Sequence, residues 1–324
     1  MYLAGPPGPA DDPGAPAGLR ISRTSRRVFA GTSAAALHQD LRGYLTDLVL
    51  PYRLRLREDL LTRGSGQCYG EMGAALIEAL VADGQPVDLL VLAFAMPDVR
   101  PERSTASYLS HRCPGDPMAF AVCDQGAAAA FTSLRLAGEY ARTAECRRVL
   151  LLFLEQATLH HDPAVPAEVP ARHAGVALLC ERTGSARVEA VRLHADVGPE
   201  LAGDVLAAEL AAVAAGRSDV VLVLSRELAR LVSKSADRPA GVMPGSADWA
   251  PDLAAAGQIC GPAAGQPVTG VWWELAGRLP GWVTEGRTVL VADYERALRY
   301  LSVCVISAGA PAGLSPPLAR RRAR

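Results

Sequence analysis

Lysine is almost missing from this 324-residue chain: Lys234 stands alone among 33 Lys and Arg residues, and the formal net charge is only −1. No basic stripe interleaved with aromatics emerges, which argues against a nucleic-acid surface. Long apolar runs are missing too. The longest, "VDLLVLAFAM" and "RRVLLLFLEQ", reach about half of the roughly 20 residues that span a bilayer. The opening "MYLAGPPGPADDPGAPAG" has no basic region followed by an apolar core, so it does not read as a signal peptide. The 7 cysteines occur singly, with no CxxC or Cys/His spacing suited to zinc, and no metal site is expected. They read as small, mostly buried residues of a reducing compartment, and the expected location is the cytoplasm.

What is present is apolar bulk. With 50% hydrophobic residues, the chain can bury a sizeable core, as two domains or one duplicated one. "GLRISRTSRRV" alternates as a first strand, and a polar helical segment follows to about Arg63. "GQCYGEMGAALIEALVADG" sets Met72, Ala75, Leu76, Ala79 and Leu80 on one helical stripe. "VDLLVLAFAMPD" is nearly continuous apolar chain, as in a strand covered on both faces. "MAFAVCDQG" then reads as a strand and "AAAAFTSLRLAGEYART" as its helix, with strands at "CRRVLLLFLEQ" and "HAGVALLCER".

The second half repeats this scheme loosely. A strand at "ARVEAVRLHAD" precedes a helix at "GPELAGDVLAAELAAVAAG", and "DVVLVLSRELARLVSKS" is a strand turning into a helix. "QPVTGVWWELAGRLPGW" is a further helix and "RTVLVADYERALRYLSVCVIS" a closing hairpin. The expected class is α/β, with a parallel or mixed sheet under helices and an internal duplication. The expected divisions are a disordered leader (1–17), an N-terminal half (18–185), a C-terminal half (186–308) and a disordered tail (309–324).

The succession from "YGEMGAALIEAL" through "VDLLVLAF", "AFAVCDQGAAAAFTSLRLAGEYA", "CRRVLLLFLEQ" and "ARHAGVALLCER" to the closing hairpin resembles ketoacyl-ACP synthase III and the wider thiolase superfamily. The resemblance implies a thiolase-like fold of two pseudo-duplicated halves in α-β-α-β-α layers. It also implies a catalytic cysteine, histidine and asparagine, and here the chain departs from the pattern. The cysteine position falls on Gly126 or Ala127, the histidine on Leu224 or Ser225, and the asparagine on Gly265 or Gln266. "ADYERALRY" replaces the glycine-rich loop of the final hairpin.

The remaining candidate groups cluster around the turn "CDQG". Asp124 suits a helix N-cap or a polar role in chemistry, and Gln125 can hold an acyl carbonyl through its amide. Gly126 fits a tight strand-to-helix turn. Cys123 reads as a buried inert thiol, or as a thioester-forming one if the turn is displaced. "LEQATLHHD" offers Glu155, Gln156, His160 and His161 to the same cleft, with His160 a candidate base. Gln156, Gln266 and Gly126 are candidate substrate contacts. His173 reads as structural, and Trp272 and Trp273 as core or interface aromatics.

The resemblance implies an acyl thioester of coenzyme A or acyl carrier protein as substrate and no resident cofactor. The expected role is a non-condensing or acyl-transferring relative in bacterial secondary metabolism. The alternative is a silent, chain-length-factor-like partner of an active ketosynthase. The expected assembly is a homodimer, or a heterodimer with a ketosynthase, paired through the strand "RRVLLLFLEQ". Acyl carrier protein is a possible partner; nucleic acid and membrane are not expected.

Overall fold

A computed structural model describes residues 19–142, 146–164, 168–215, 217, 219–236, 259–260 and 265–309. The N-terminal half runs β1 (Arg20–Phe29), α1 (Leu41–Val49), α2 (Glu58–Thr62), α3 (Tyr69–Leu80), β2 (Leu89–Ala93), α4 (Thr105–Ser110), β3 (Met118–Val122), α5 (Ala128–Arg142), β4 (Arg148–Glu155) and β5 (His173–Glu181). The C-terminal half runs β6 (Ala186–His194), α6 (Ala202–Ala214), β7 (Val220–Leu224), α7 (Arg226–Ala236), β8 (Ile259–Cys260), α8 (Gly270–Glu285), β9 (Thr288–Glu295) and β10 (Tyr300–Ala308).

The strands form one 10-stranded sheet in the order β3-β2-β4-β5-β1-β6-β10-β9-β7-β8. The order reads the same from either end once each strand is matched to its counterpart. In the first half β2 pairs parallel with β3 and β4, and β5 antiparallel with β4 and β1. In the second, β7 pairs parallel with β8 and β9, and β10 antiparallel with β9 and β6. The internal duplication expected from sequence is therefore present in the strand order itself.

Period-2 alternation sends each strand's apolar residues to two different cores. Val149, Leu151 and Phe153 of β4, with Val289 and Val291 of β9, face a central core shared with α5 and α8. On the outer side of the first half, Leu150, Leu152 and Leu154 pack under α3 and α4. On the outer side of the second, Leu290, Ala292 and Tyr294 pack under α6 and α7. Helices thus form the outer and central layers, with the two halves of the sheet between them.

Trp272 lies fully buried in the central core, its ring centroid 4.8 Å from Phe131 and 5.0 Å from Phe153. Its neighbour Trp273 sits under the Arg26 guanidinium, 5.0 Å from ring to charge.

The polar helical segment to Arg63 is two helices, not one. Pro51 lies in a 3-10 turn that ends on Arg53, a residue with φ +55°, and these interrupt the helix between α1 and α2. The expected pairing of "RRVLLLFLEQ" across a dimer axis is also corrected. That strand is β4, and β2 and β5 already occupy both its edges. The sheet ends at β3 in the first half and at β8 in the second, and Met118 of β3 is 52% exposed. A fully buried apolar run marks a strand covered on both faces, which says nothing about its edges. The expected leader lies outside the described residues, as does the expected tail apart from Gly309, whose amide bonds to the Ser185 carbonyl.

Candidate functional site

The turn between β3 and α5 carries two residues in the left-handed region, Asp124 at φ +61° and Gly126 at φ +51°. This double reversal turns the edge strand into the central helix, and the Gln125 and Gly126 carbonyls accept from Ala128 and Ala129 to start it. A helix of 15 residues beginning here leaves its first amides without intrahelical partners. The Ala127 amide donates to Glu295 Oε2 at 3.0 Å. Glu295 is the last residue of β9, on the far half of the molecule, and its Oε1 accepts from the Ala297 amide at 3.1 Å. The carboxylate lies so close over Gly126 that a Cβ there would collide with it. Gly126 is thus required twice, by its dihedral and by this contact.

A cavity of about 240 Å³ borders this contact, lined among others by Ala127, Ser225, Gln266, Asp293, Glu295 and Glu168. Ser225 caps α7 by accepting from the Leu228 amide at 3.3 Å. Asp293 is 5% exposed on the cavity wall. Burial pushes its carboxyl up to about 7; the Ser225 hydroxyl and the Tyr294 amide oppose that rise, while the charges of Glu295 and Glu168 add to it. Glu168 is raised by burial and by the nearby Glu295 and Glu227 carboxylates. Arg226 and Arg296 also line the cavity, and Arg296 pairs with Glu227 at 3.5 Å.

A second carboxylate serves α8 in the same way. Glu155, 1% exposed, accepts from the Val268 amide at 2.6 Å, from the Gln266 side-chain amide at 2.7 Å and from the Thr269 hydroxyl. Burial raises its carboxyl, and these donors hold it back. Gln266 Oε1 in turn accepts from the Arg172 amide at 2.9 Å. Glu155 and Gln266, both candidates from sequence, are brought into direct contact.

The other candidates separate. The Asp124 side chain is exposed and its carboxylate lies 3.6 Å from the Cys123 thiol, so the carboxylate on the Ala127 amide comes from Glu295 and not from Asp124. Gln125 is half-buried and accepts from the Thr132 hydroxyl at 2.6 Å, on the helix that the turn leads into. Cys123, expected to be buried, is exposed. It follows the last residue of the edge strand, where no neighbouring strand covers it. Its thiol is nonetheless raised by partial burial and by Asp124.

His160 is buried, with Nε2 2.8 Å from the Ser65 carbonyl, and its imidazolium form is disfavoured by burial. Gln156 is buried and donates to the Pro97 carbonyl. Both pin the connection after β4 to neighbouring loops, and neither lines the cavity. His173 accepts from the Ala157 amide at 3.0 Å, in keeping with a structural role.

Asp293, Glu295 and Glu168 were not singled out from sequence. The only signal for the first two was the polar "ADYERALRY" in place of a glycine-rich loop; nothing marked Glu168. Among the described residues no group of His, Cys, Asp and Glu side chains is arranged to hold a metal ion. Among them, too, no helix is long and apolar enough to cross a membrane.

No protein-family model matches the chain, and no curated protein matches it. Solved structures do. ChlB3, described as an acyltransferase, is 15% identical with a TM-score of 0.56, over 91% of this chain and 98% of that one. AbyA1, a tetronic acid condensing enzyme, is 16% identical with a TM-score of 0.56, over 89% and 99%. The 3-oxoacyl-[acyl-carrier-protein] synthase III of Aquifex aeolicus is 14% identical with a TM-score of 0.58, over 90% and 100%. The fold is thiolase-like, of the ketosynthase III and OleA type. At these identities the likeness is one of fold.

Proposed function

We propose that this chain is a non-condensing protein of the ketosynthase III type that acts as a silent partner, supporting an active ketosynthase-like chain. One observation carries the reading. At the turn where the resemblance puts a nucleophilic cysteine, Gly126 and Ala127 offer no nucleophile, and the amide of Ala127 is already bound by Glu295. A thiolate or an acyl carbonyl seeking that amide meets a carboxylate instead. Of the residues at the family histidine's position, Leu224 or Ser225, the second is a helix cap, and of Gly265 or Gln266 at the asparagine's, the second is engaged by Glu155.

The partner surface in this reading is β3, whose outer edge has no strand partner among the described residues. Unpaired strand edges invite pairing with another chain, either a second copy or a ketosynthase. Acyl thioesters of coenzyme A or acyl carrier protein remain the ligand class, carried over from the resemblance, and no resident cofactor enters the proposal. The test is to incubate the purified chain with acetyl- and malonyl-CoA, alone and with a co-expressed candidate ketosynthase. The expected outcome is no covalent acylation of this chain by intact mass, with a stable complex by light scattering that Met118→Arg weakens. A stoichiometric acyl adduct on this chain would sink the reading.

Asp293 favours one second reading, acyl transfer without an enzyme-bound intermediate. A carboxyl raised to about 7 on a cavity wall is suited to proton transfer near neutral pH. Turnover lost in Asp293→Asn would select it.

A further inference from the structure

Strand β6 is broken by a bulge. Ile306 pairs with Val188 and Val305 with Ala190, which leaves Glu189 as the extra residue. Before the bulge Ala186 and Val188 pack on the central core, and after it Val191 and Leu193 do. Arg187 and Arg192, at an odd spacing, would face opposite sides of an unbroken strand; the bulge puts both on the outer face. There they line a groove of about 370 Å³ with Arg217 and Glu189, and the small side chains of Ala190 and Ala212 leave it open.

The charges around this groove do not balance. Arg192 pairs with Glu209 at 2.7 Å, and Arg217 with Glu189 at 3.1 Å. Both carboxylates are further engaged, Glu209 by His194 at 2.8 Å and Glu189 by the Ser307 hydroxyl. Arg187 is exposed and has no ion-pair partner among the described residues. Directly opposite it on β1 stands Arg20, on the same face, which donates to the Gly184 carbonyl and likewise has no carboxylate partner among them. Glu181, across from Arg20 on β5, is held by Arg148 at 2.8 Å. Like charges directly opposite in a ladder are destabilising, and here two guanidiniums stand side by side with no carboxylate to balance them.

We infer that this groove binds the phosphate group of a small molecule, with the Arg187 guanidinium as its anchor and Arg20, Arg192 and Arg217 around it. A phosphate monoester carries close to two negative charges at neutral pH, which matches the two unbalanced arginines. The planar guanidinium fork suits its oxygens. Glu189 and Glu209 limit the size of the ligand: beside the arginines they repel the continuous charge of a nucleic-acid backbone but leave a place for one phosphate. The inference goes beyond the partner role, and the groove shares no lining residue with the cavity beside Ala127.

The experiment uses the full chain, with inorganic phosphate as the probe. Phosphate replaces chloride at constant ionic strength in a calorimetric titration, and one ion per chain should bind saturably. Arg187→Ala should weaken binding about tenfold or more, the scale of a hydrogen bond to a charged group, and Arg187→Glu should abolish it. Arg278→Ala removes an exposed arginine of α8 that is paired with Glu274 and should change nothing. Acetate, with a single charge, should bind far more weakly than phosphate. Melting gives a second readout: Arg187→Ala relieves the repulsion with Arg20, so without phosphate it should melt at or above wild type, and with phosphate only the wild type should gain. Absence of saturable binding, equal phosphate affinity or equal thermal gain in Arg187→Ala and wild type, or acetate bound as tightly as phosphate overturns the inference. The partner test replaces no residue of this groove, so either result can fail alone.

Discussion

Glu155 and Glu295 are counterparts: each is the last residue of its strand, β4 and β9, and the carboxylate of each accepts from a backbone amide at the N-terminus of the central helix of the opposite half. Alternation along the two strands puts both on the face turned to the central core, in line with Phe153 and Asp293. The two halves are thus cross-linked by a reciprocal pair of helix caps. The pair is unequal in burial, since Glu155 is 1% exposed whereas Glu295 borders the cavity.

That inequality predicts unequal costs. Glu155→Ala leaves the Val268 amide, the Gln266 amide and the Thr269 hydroxyl without their buried acceptor. The expected loss is about 2–4 kcal/mol, and that of Glu155→Gln about half of it. Chemical denaturation with both variants checks this, and equal stability of Glu155→Ala and wild type would refute it.

Asp293 should impose a pH slope. Between about pH 4 and its raised value of about 7, the unfolded carboxyl has released its proton while the folded one keeps it. The folded state therefore binds more protons, and stability falls as pH rises through that window. Asp293→Asn removes the contribution, so its Tm relative to wild type should climb from pH 5 to pH 8. A difference that is flat with pH would count against the burial seen here.

The Gly126 turn can be tested against a neutral control. Gly126→Ala meets both a positive φ and the Glu295 carboxylate, and should cost about 2 kcal/mol or more. Gly281 lies in α8 with open space where a Cβ would go, so Gly281→Ala should stabilise by about 0.5–1 kcal/mol. Thermal melts of the two variants should move in opposite directions.

Cys123 should alkylate in the native protein, while Cys68, Cys180 and Cys304, all buried, stay protected until unfolding. Its raised thiol makes the reaction slow at neutral pH and faster as pH rises. Peptide mass analysis after native labelling at pH 7 and pH 9 reads both claims; protection of Cys123 at both would contradict the exposed position.

Much of the fold was legible along the chain because its signals are local. Continuous apolar runs marked β2 and β4, the stripe from Met72 to Leu80 marked α3, and the repeated order of elements marked the duplication, since burial of one or both faces writes itself into neighbouring residues. The polar "ADYERALRY" before the closing strand was legible for the same reason. The contacts between the two halves were not. Glu295 lies 168 residues from Ala127 and Gln266 lies 111 from Glu155, and no periodicity reports a contact between strand ends and helix starts on opposite halves. Only the folded sheet, by placing β4 and β9 as mirror positions around α5 and α8, decided which carboxylates cap those helices, that Cys123 is exposed at the edge, and that β3 rather than β4 ends the sheet.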